Sequence, residues 1–438
     1  MPSSESTFNA VDTEIDALFP AALGLLERMI AVNSITPNFY TIKRATVIGG
    51  ESACSRMLGA WLGAADFELH EVAPDPERVN VVALRRGGGG GRSLILNGHV
   101  DTVAPFRPEA WKAGSPWTPL REGDLLHGLG ACDMKGGLVA CALAARALAQ
   151  AGVRLKGDLQ IHAVVGEETG CHDEGVSAPL KAGFTADAAI VAEPSSGRER
   201  LAVSPVSYGL LGLMVVVRGI GTHVGNRALA IRPGGLGDAA GVNAVEKLIQ
   251  IVTALQRLEQ DWGLSKSHPA FPPGAFTMTP AVFHGDVGYP SPGYFADRAE
   301  VRYVVWYPPQ ESPEQIRAEI EAQIHHAAQL DPWLRAHPPE VIWRSHWPAA
   351  NTPPDAPIVR TLLAQRRAVL GEAAGATPRA FEATSDATYL EAAGIPCAVF
   401  GPGSLRHAHA MDEHVDVNEI RDAARILART VMDWCGTA

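Results

Sequence analysis

The sequence predicts an α/β fold interrupted by a separate α+β insertion, and three observations carry that expectation. Across the first 200 residues, short apolar runs alternate with helix-like stretches, the pattern of a sheet with helices on its faces. After Pro205 the pattern changes to a self-contained β-α-β-β-α set, and the α/β alternation resumes near residue 356. At 438 residues, the chain also exceeds the size at which one hydrophobic core keeps growing. The expected domains are 1–205 together with 326–438, and 206–325.

The first expected element is a helix over about 12–32, with Ile15, Leu18, Ala22, Leu25, Leu26 and Met29 on one stripe. Pro20 predicts either a kink or two helices, the second with Pro20 in its first turn. Strands are expected at 79–84 and 93–96, joined through the five glycines 87–91. A phosphate-binding loop would lead into a helix, whereas this one leads into a strand, so a flexible hairpin connection is the better reading. "DLQIHAVVG" and "AAIVAEP" read as two more buried strands. Within the insertion, "LLGLMVVVRG", "AFTMTPAVFHG" and "RAEVRYVVWYP" are strand candidates. "GVNAVEKLIQIVTALQRLEQDWG" and "SPEQIRAEIEAQIHHAAQL" are helix candidates, the latter opening with Ser312 as N-cap, Pro313 in the first turn and Gln315 as capping-box partner. A helix at 356–370 and a strand at "CAVFG" complete the larger domain.

Composition narrows the function. With 37 basic and 48 acidic residues the net charge is −11, which leaves no cationic excess for nucleic acid or an anionic membrane. The N-terminal stretch is acidic where a signal peptide needs a basic and then an apolar segment, and no run has the length of a membrane span, so a cytoplasmic location is expected. Six cysteines without a C-x-x-C pair suit reduced, mostly buried thiols. Cys132 and Cys171 lie beside acidic motifs, which leaves a ligand role open for them.

The ends of the strands are more specific. The run 94–96 leads into His99 and Asp101, 159–165 into Glu167 and Glu168, 188–192 into Glu193, and 397–400 into "GPGSLRHAHAMDEH". In α/β sheets the ligand site lies off the carboxyl ends of the strands, so these groups have the address at which to converge. Asp133 adds a further acid in the Gly-rich "GLGACDMKGG", ahead of a small-residue helix. Histidines and several carboxylates together are the donor set of two divalent cations sharing a bridging carboxylate. His162, inside "LQIHAVV", reads as a core residue.

Taken together, "LILNGHVDTVAP", "GLGACDMKGG", "VVGEETG", "VAEPS" and "GPGSLRHAHAMDEHVDV" resemble, in order and over nearly the whole chain, the motifs of the M20 family of zinc-dependent amidohydrolases and peptidases. Acetylornithine deacetylase and succinyl-diaminopimelate desuccinylase belong to that group. The resemblance implies a zinc-hydrolase catalytic domain, a mixed central sheet flanked by helices, with the insertion as a lid and dimerisation domain. It implies His99 and Glu193 on one metal, Glu168 and His409 on the other, and Asp133 bridging them. Asp101 would orient the His99 imidazole. Choosing His409 over His407 and His414 rests on the family pattern A-H-x-x-D-E, matched by Ala408, His409, Asp412 and Glu413.

The implied cofactors are two divalent ions, zinc first, with cobalt or manganese as alternatives. Glu167 resembles the general base that deprotonates a metal-bound water, which attacks an amide and releases an acyl group from an N-acyl amino acid or similar small amine. In the insertion, His223 of "RGIGTHVG" resembles the histidine that reaches a partner subunit's site to stabilise an oxyanion, and Asn243 of "GVNAVEKL" a substrate contact. A homodimer through the lid follows from the same resemblance.

Two departures touch the substrate. Where relatives often carry an arginine, this chain has Trp306 in "VVWYPP" and Thr388 in "SDAT". Either arginine would clamp a substrate carboxylate in bidentate fashion, so a succinylated dicarboxylate is disfavoured and an aromatic or apolar moiety at Trp306 is expected. Arg227 and Arg232 are the available substitutes. Other readings are a dipeptidase or aminopeptidase of the same family, a non-catalytic metal-dependent binding protein, and a nicotinamide oxidoreductase using "GLGACD". The intact Glu167 and the replaced third glycine speak against the last two.

Overall fold

The computed structural model describes residues 5–438 apart from 38, 41, 196, 198, 373 and 376. In chain order the strands are β1 (Glu68–Val72), β2 (Asn80–Arg85), β3 (Leu94–His99), β4 (Leu120–Glu122), β5 (Leu125–His127), β6 (Leu159–Val164), β7 (Ala188–Val191), β8 (Val206–Ser207), β9 (Gly209–Arg218), β10 (Met278–Asp286), β11 (Arg298–Tyr307), β12 (Glu340–Trp347), β13 (Ala380–Phe381), β14 (Cys397–Val399) and β15 (His414–Asp416). The α-helices are α1 (Glu5–Ile30), α2 (Gly50–Gly63), α3 (Gly136–Gln150), α4 (Ser177–Lys181), α5 (Arg227–Ile231), α6 (Ala244–Ser265), α7 (Pro313–Gln329), α8 (Pro332–Ala336), α9 (Pro357–Leu370), α10 (Ala387–Ala392) and α11 (Val417–Cys435). Two compact units result, one running to Ser207 and resuming at Ala350, the other Tyr208–Ala349.

The first unit is built on a six-stranded mixed sheet in the order β1-β2-β6-β3-β7-β14. The strands β6, β3, β7 and β14 are parallel, so their carboxyl ends share one edge, while β2 runs antiparallel to both its neighbours, β1 and β6. β3, β6 and β7 are buried along their whole length, as near-continuous apolar runs in a covered sheet should be. Helices α1, α3 and α11 pack on one another. Residues 136–145 of α3 are all buried, and its glycines and alanines let its neighbours approach closely. The expected helix at 12–32 is continuous as α1, with Pro20 on its exposed side and the stripe from Phe8 to Met29 inside.

The glycine run 87–91 departs from expectation. It is not a hairpin, because β6 lies between β2 and β3 in the sheet. The run crosses over the start of β6 with its backbone pressed on the segment before it: Gly88 and Gly89 N–H groups donate to the Leu155 and Lys156 carbonyls at 2.8 Å. A Cβ at Gly87 would sit 2.4 Å from the Lys156 oxygen, and one at Gly91 2.0 Å from the Cys435 oxygen. Close approach of backbones therefore explains the glycines at both ends.

The second unit is a four-stranded antiparallel sheet, β10-β11-β9-β12, backed by α6 and α7. Alternate residues Leu211, Leu213, Val215 and Val217 of β9 and Ala299, Val301, Tyr303 and Val305 of β11 enter its core. They meet Leu248, Ile251 and Leu255 of α6 and Ile316, Ile320 and Ile324 of α7. The expected capping box is present, Ser312 and Gln315 each bonding the other's backbone N–H. The unit ends at 349 instead of 325, because β12 returns to pair with β9. "EVIWRSHW" is half-exposed with tryptophan and histidine on it, which hides its alternation from a hydropathy reading.

Candidate metal centre and active site

The shared edge of the parallel strands delivers the site. His99 is the last residue of β3, and Glu193 follows β7 by two residues. Glu168 lies in a short 3-10 turn, Glu167–Thr169, three residues past β6. Asp133 sits in the turn before α3, and the Asp133–Met134 peptide is cis. His409 comes from the loop between β14 and β15, with its backbone in the left-handed region at φ 54°. Sparsely populated backbone at a residue of this kind persists only where surrounding bonds hold it, and it clusters at functional sites. Asp412 in the same loop is also left-handed and is tied down: its carbonyl accepts from His414 Nδ1 and His127 Nδ1, and its carboxylate from Lys112 N–H at 2.8 Å.

These side chains form two groups of three that share one member, His99–Asp133–Glu193 and Asp133–Glu168–His409. His99 Nε2 lies 3.2 Å from Asp133 Oδ1 and 3.5 Å from Glu193 Oε1. His409 Nε2 lies 3.3 Å from Asp133 Oδ2 and 2.9 Å from Glu168 Oε2. Asp133 thus offers one oxygen to each group. His407 and His414 stack on each other at 4.1 Å and take no part.

The electrostatics call for positive charge at both positions. Burial by itself would depress the His99 pKa, but Glu193 and Asp133 carry it well above the usual imidazole range. Burial likewise opposes His409, yet Glu168 and Asp133 raise it to about 12. Burial would lift Asp133, but the two imidazoles hold it far below the usual carboxylate range. One nitrogen and two carboxylates per group, with a carboxylate shared, is a donor set that fits a pair of divalent cations, which would take the place of the imidazole protons.

The support behind these residues is partly different from expectation. The His99 Nδ1 partner is the Asp101 carbonyl, at 3.1 Å, with the carboxylate at 3.6 Å. The Asp101 carboxylate instead accepts from the N–H groups of Glu167 and Glu168, at 3.3 and 3.1 Å, and so fixes the turn that carries both acids. Among the described residues, no hydrogen bond or ion pair is made by the Glu167 carboxylate itself. Its pKa is pushed well up by burial first and then by Glu193, Asp386 and Glu168, against the pull of His99. A carboxylate left free and made more basic is suited to taking a proton from water.

Sequence reasoning missed two acids. Glu413 accepts from the backbone N–H groups of Gly130, Cys132 and Asp133 at 3.0, 2.8 and 3.0 Å, and so shapes the Asp133 turn. Its place in the A-H-x-x-D-E pattern was the available signal. Asp386 accepts from Asn97 Nδ2 at 2.9 Å, two residues before His99 on β3, and burial raises its pKa to about 6. Cys132 binds Ser404 through both N–H and carbonyl, at 3.3 and 3.4 Å, and belongs to neither ligand group. His162 is a core residue as expected, its Nε2 3.0 Å from Gln160 Oε1 and its pKa lowered by burial to about 3.

The remaining expected residues are placed as follows. Thr388 is buried in the first turn of α10 with its hydroxyl on the Ser385 carbonyl. In the second unit, His223 is exposed and its Nδ1 accepts from Gly225 N–H at 3.0 Å, capping a 3-10 turn. Asn243 Oδ1 caps α6 through Val245 N–H at 3.1 Å. Trp306 packs with Tyr208, ring centroids 5.3 Å apart, in a cluster that includes Phe271 and Phe276. Arg227 pairs with Glu246 at 2.6 Å.

Comparison with known proteins identifies the family. Residues 95–433 match Peptidase family M20/M25/M40. An N-formyl-4-amino-5-aminomethyl-2-methylpyrimidine deformylase of Halalkalibacterium halodurans is 33% identical over 371 residues, 82% of this chain and 84% of that protein. An acetylornithine deacetylase of Myxococcus xanthus is 30% identical over 365 residues, 82% of this chain and 85% of the deacetylase. Among solved structures, an M20 family metallo-carboxypeptidase from Sulfolobus solfataricus superposes with a TM-score of 0.72 at 16% identity, over 94% of this chain and 99% of that one, which speaks to the fold. The chain therefore belongs to the peptidase family M20/M25/M40, as a metal-dependent hydrolase of amide bonds.

Proposed function

We propose that the chain removes a small acyl group, formyl foremost, from the nitrogen of an N-acyl amino acid or a similar small amine bearing an aromatic ring. The observation that carries the hydrolytic part is Asp133, which divides its two oxygens between two ligand groups beside the free Glu167 carboxylate. The acyl preference is supported by the deformylase relative and by Trp306 and Thr388 standing where an arginine would clamp a carboxylate. A ring on the amine is supported by the aminomethylpyrimidine in the deformylase relative's name and by His172 and Tyr389, which stack at 3.9 Å beginning five residues beyond Glu167.

The groups His99–Asp133–Glu193 and Asp133–Glu168–His409 would hold zinc, or cobalt or manganese in its place, which would supply Lewis-acid polarisation of the amide and a more acidic water. Glu167 takes a proton from the attacking water and returns it to the leaving nitrogen. Asp101 keeps Glu167 in place through its backbone N–H. No covalent bond to the chain is required. The same reading gives His223 a part in stabilising the oxyanion in a partner subunit, Asn243 a substrate contact, and the second unit the part of a lid and dimerisation surface. It also places the protein in the cytoplasm; among the described residues no helix is long and apolar enough to cross a membrane.

The test is amine release from N-formyl, N-acetyl, N-succinyl and dipeptide substrates by metal-loaded, chelated and Glu167→Ala protein. Release that needs metal and Glu167 and is fastest for formyl or acetyl amides supports the proposal. Preference for dipeptides moves the chain to the peptidase side of the family, and preference for succinyl amides removes the argument from Trp306 and Thr388. Mixing His223→Ala with Glu167→Ala protein tests the partner role: recovered activity in the mixture is expected, and none would sink it.

A further inference from the structure

Behind the Glu167–Glu168 turn, away from the ligand groups, lies a fully buried ion pair. Arg78 Nε and Nη2 donate to Glu51 Oε2 and Oε1, both at 2.7 Å, and the two residues are 0% and 1% exposed. Glu51 Oε1 also accepts from Gly166 N–H at 3.2 Å, the residue immediately before Glu167. Arg78 Nη1 reaches the Glu174 carboxylate at the far end of the same segment. Between those ends, Arg78 Nη2 meets Thr36 Oγ1 at 3.4 Å, and Thr36 Oγ1 lies 3.3 Å from Thr169 Oγ1, next to Glu168. The segment is also seated directly on the guanidinium: Gly166 is left-handed at φ 77°, and a Cβ there would come within 2.9 Å of Arg78 Nη2.

A buried ion pair is a poor source of stability, because desolvation of both charges offsets their attraction and an apolar pair of similar volume does as well. Its bonds are spent instead on both ends and the middle of one nine-residue segment, 166–174. We infer that Glu51 and Arg78 are positioning residues for the reaction, holding Glu168 against Asp133 and His409 while leaving Glu167 free to face water. The pair touches neither ligand group, so it acts through the loop. This inference rests on the reading of Glu168 as a metal ligand and Glu167 as the base.

The test compares wild type, Glu51→Gln and the double variant Glu51→Leu with Arg78→Met, each titrated with zinc against a chromophoric chelator and assayed for kcat and KM. In wild type two equivalents of zinc are expected; fewer would count against the two-metal reading itself, before the pair is reached. In Glu51→Gln the first equivalent should bind as in wild type, and the second should weaken by about 10- to 100-fold, as for loss of an outer partner of a metal ligand. kcat should fall with it while KM holds. The apolar double variant should regain thermal stability but neither the second equivalent nor kcat. Wild-type binding of both equivalents by either folded variant overturns the inference. So does failure of the double variant to fold, which would make the pair a stability element only.

Discussion

In the first unit, His99, Asp133, Glu168, Glu193 and His409 turn their polar atoms toward one another. In the second, His223, Asn243 and Asp331 turn theirs back onto the nearest backbone N–H groups. The difference is one of satisfaction. A side chain that caps a turn has a partner for its capping atom within three residues, so that bond by itself asks for no ligand. Buried carboxylates facing each other raise one another's pKa, so they stay ionised only beside a cation and otherwise take up a proton. Convergence of the first kind is therefore a statement about chemistry, whereas capping is a statement about local structure.

The sharpest way to break this contrast is Asp133→Asn, which removes the charge shared by both groups. Both zinc equivalents should be weakened by more than about 100-fold, beyond what loss of an outer partner costs, and turnover should drop to that of chelated protein. Metal analysis after dialysis reads it directly. Glu167→Gln should lower kcat by about 10²- to 10⁴-fold, the range for a general base, while both equivalents stay bound. Loss of metal in that variant would turn Glu167 into a ligand.

On the capping side the effects are smaller and fall on stability. Asn243→Ala should cost about 1 kcal/mol in urea unfolding through the lost cap on α6, whereas Asn243→Ser should keep most of it. If Asn243→Ser nonetheless raises KM, the amide does more than cap. Asp331 caps α8 through Trp333 and Leu334 N–H and pairs with Lys247 at 2.7 Å. Burial would raise its pKa, but Lys247 and the Leu334 N–H outweigh that and hold it below the usual range. Its contribution is then complete above the unfolded value, about pH 4, and is lost as the pH falls through the lower folded value. The stability gap between wild type and Asp331→Asn should accordingly narrow between pH 6 and pH 3; a constant gap would show that the carboxylate charge contributes nothing.

Much of the site was legible because its ligands end strands. His99, Glu168 and Glu193 follow apolar runs that a period-two or buried pattern marks, and parallel strands bring such ends to one edge. His409 could be told from His407 and His414 only through a family pattern, because three histidines in one loop carry no periodicity. The left-handed backbone at His409 and Asp412 and the stacking of His407 on His414 are what separate them. The glycine run was misread as a hairpin because a local turn signal says nothing of which strand lies between two others.

The sequence by itself determined the two-unit α/β architecture and the acids and histidines that end its strands. It could do so because apolar periodicity and ligand spacing are short-range properties of the chain. Only the tertiary structure decided what holds those ligands. Glu413 reaches Asp133 across 280 residues, Asn97 reaches Asp386 across 289, and Arg78 joins Glu51 to Glu174 across 27 and 96. A lone buried acid at such a distance from its partner has the same local signature as a solvated one, and only packing tells the two apart.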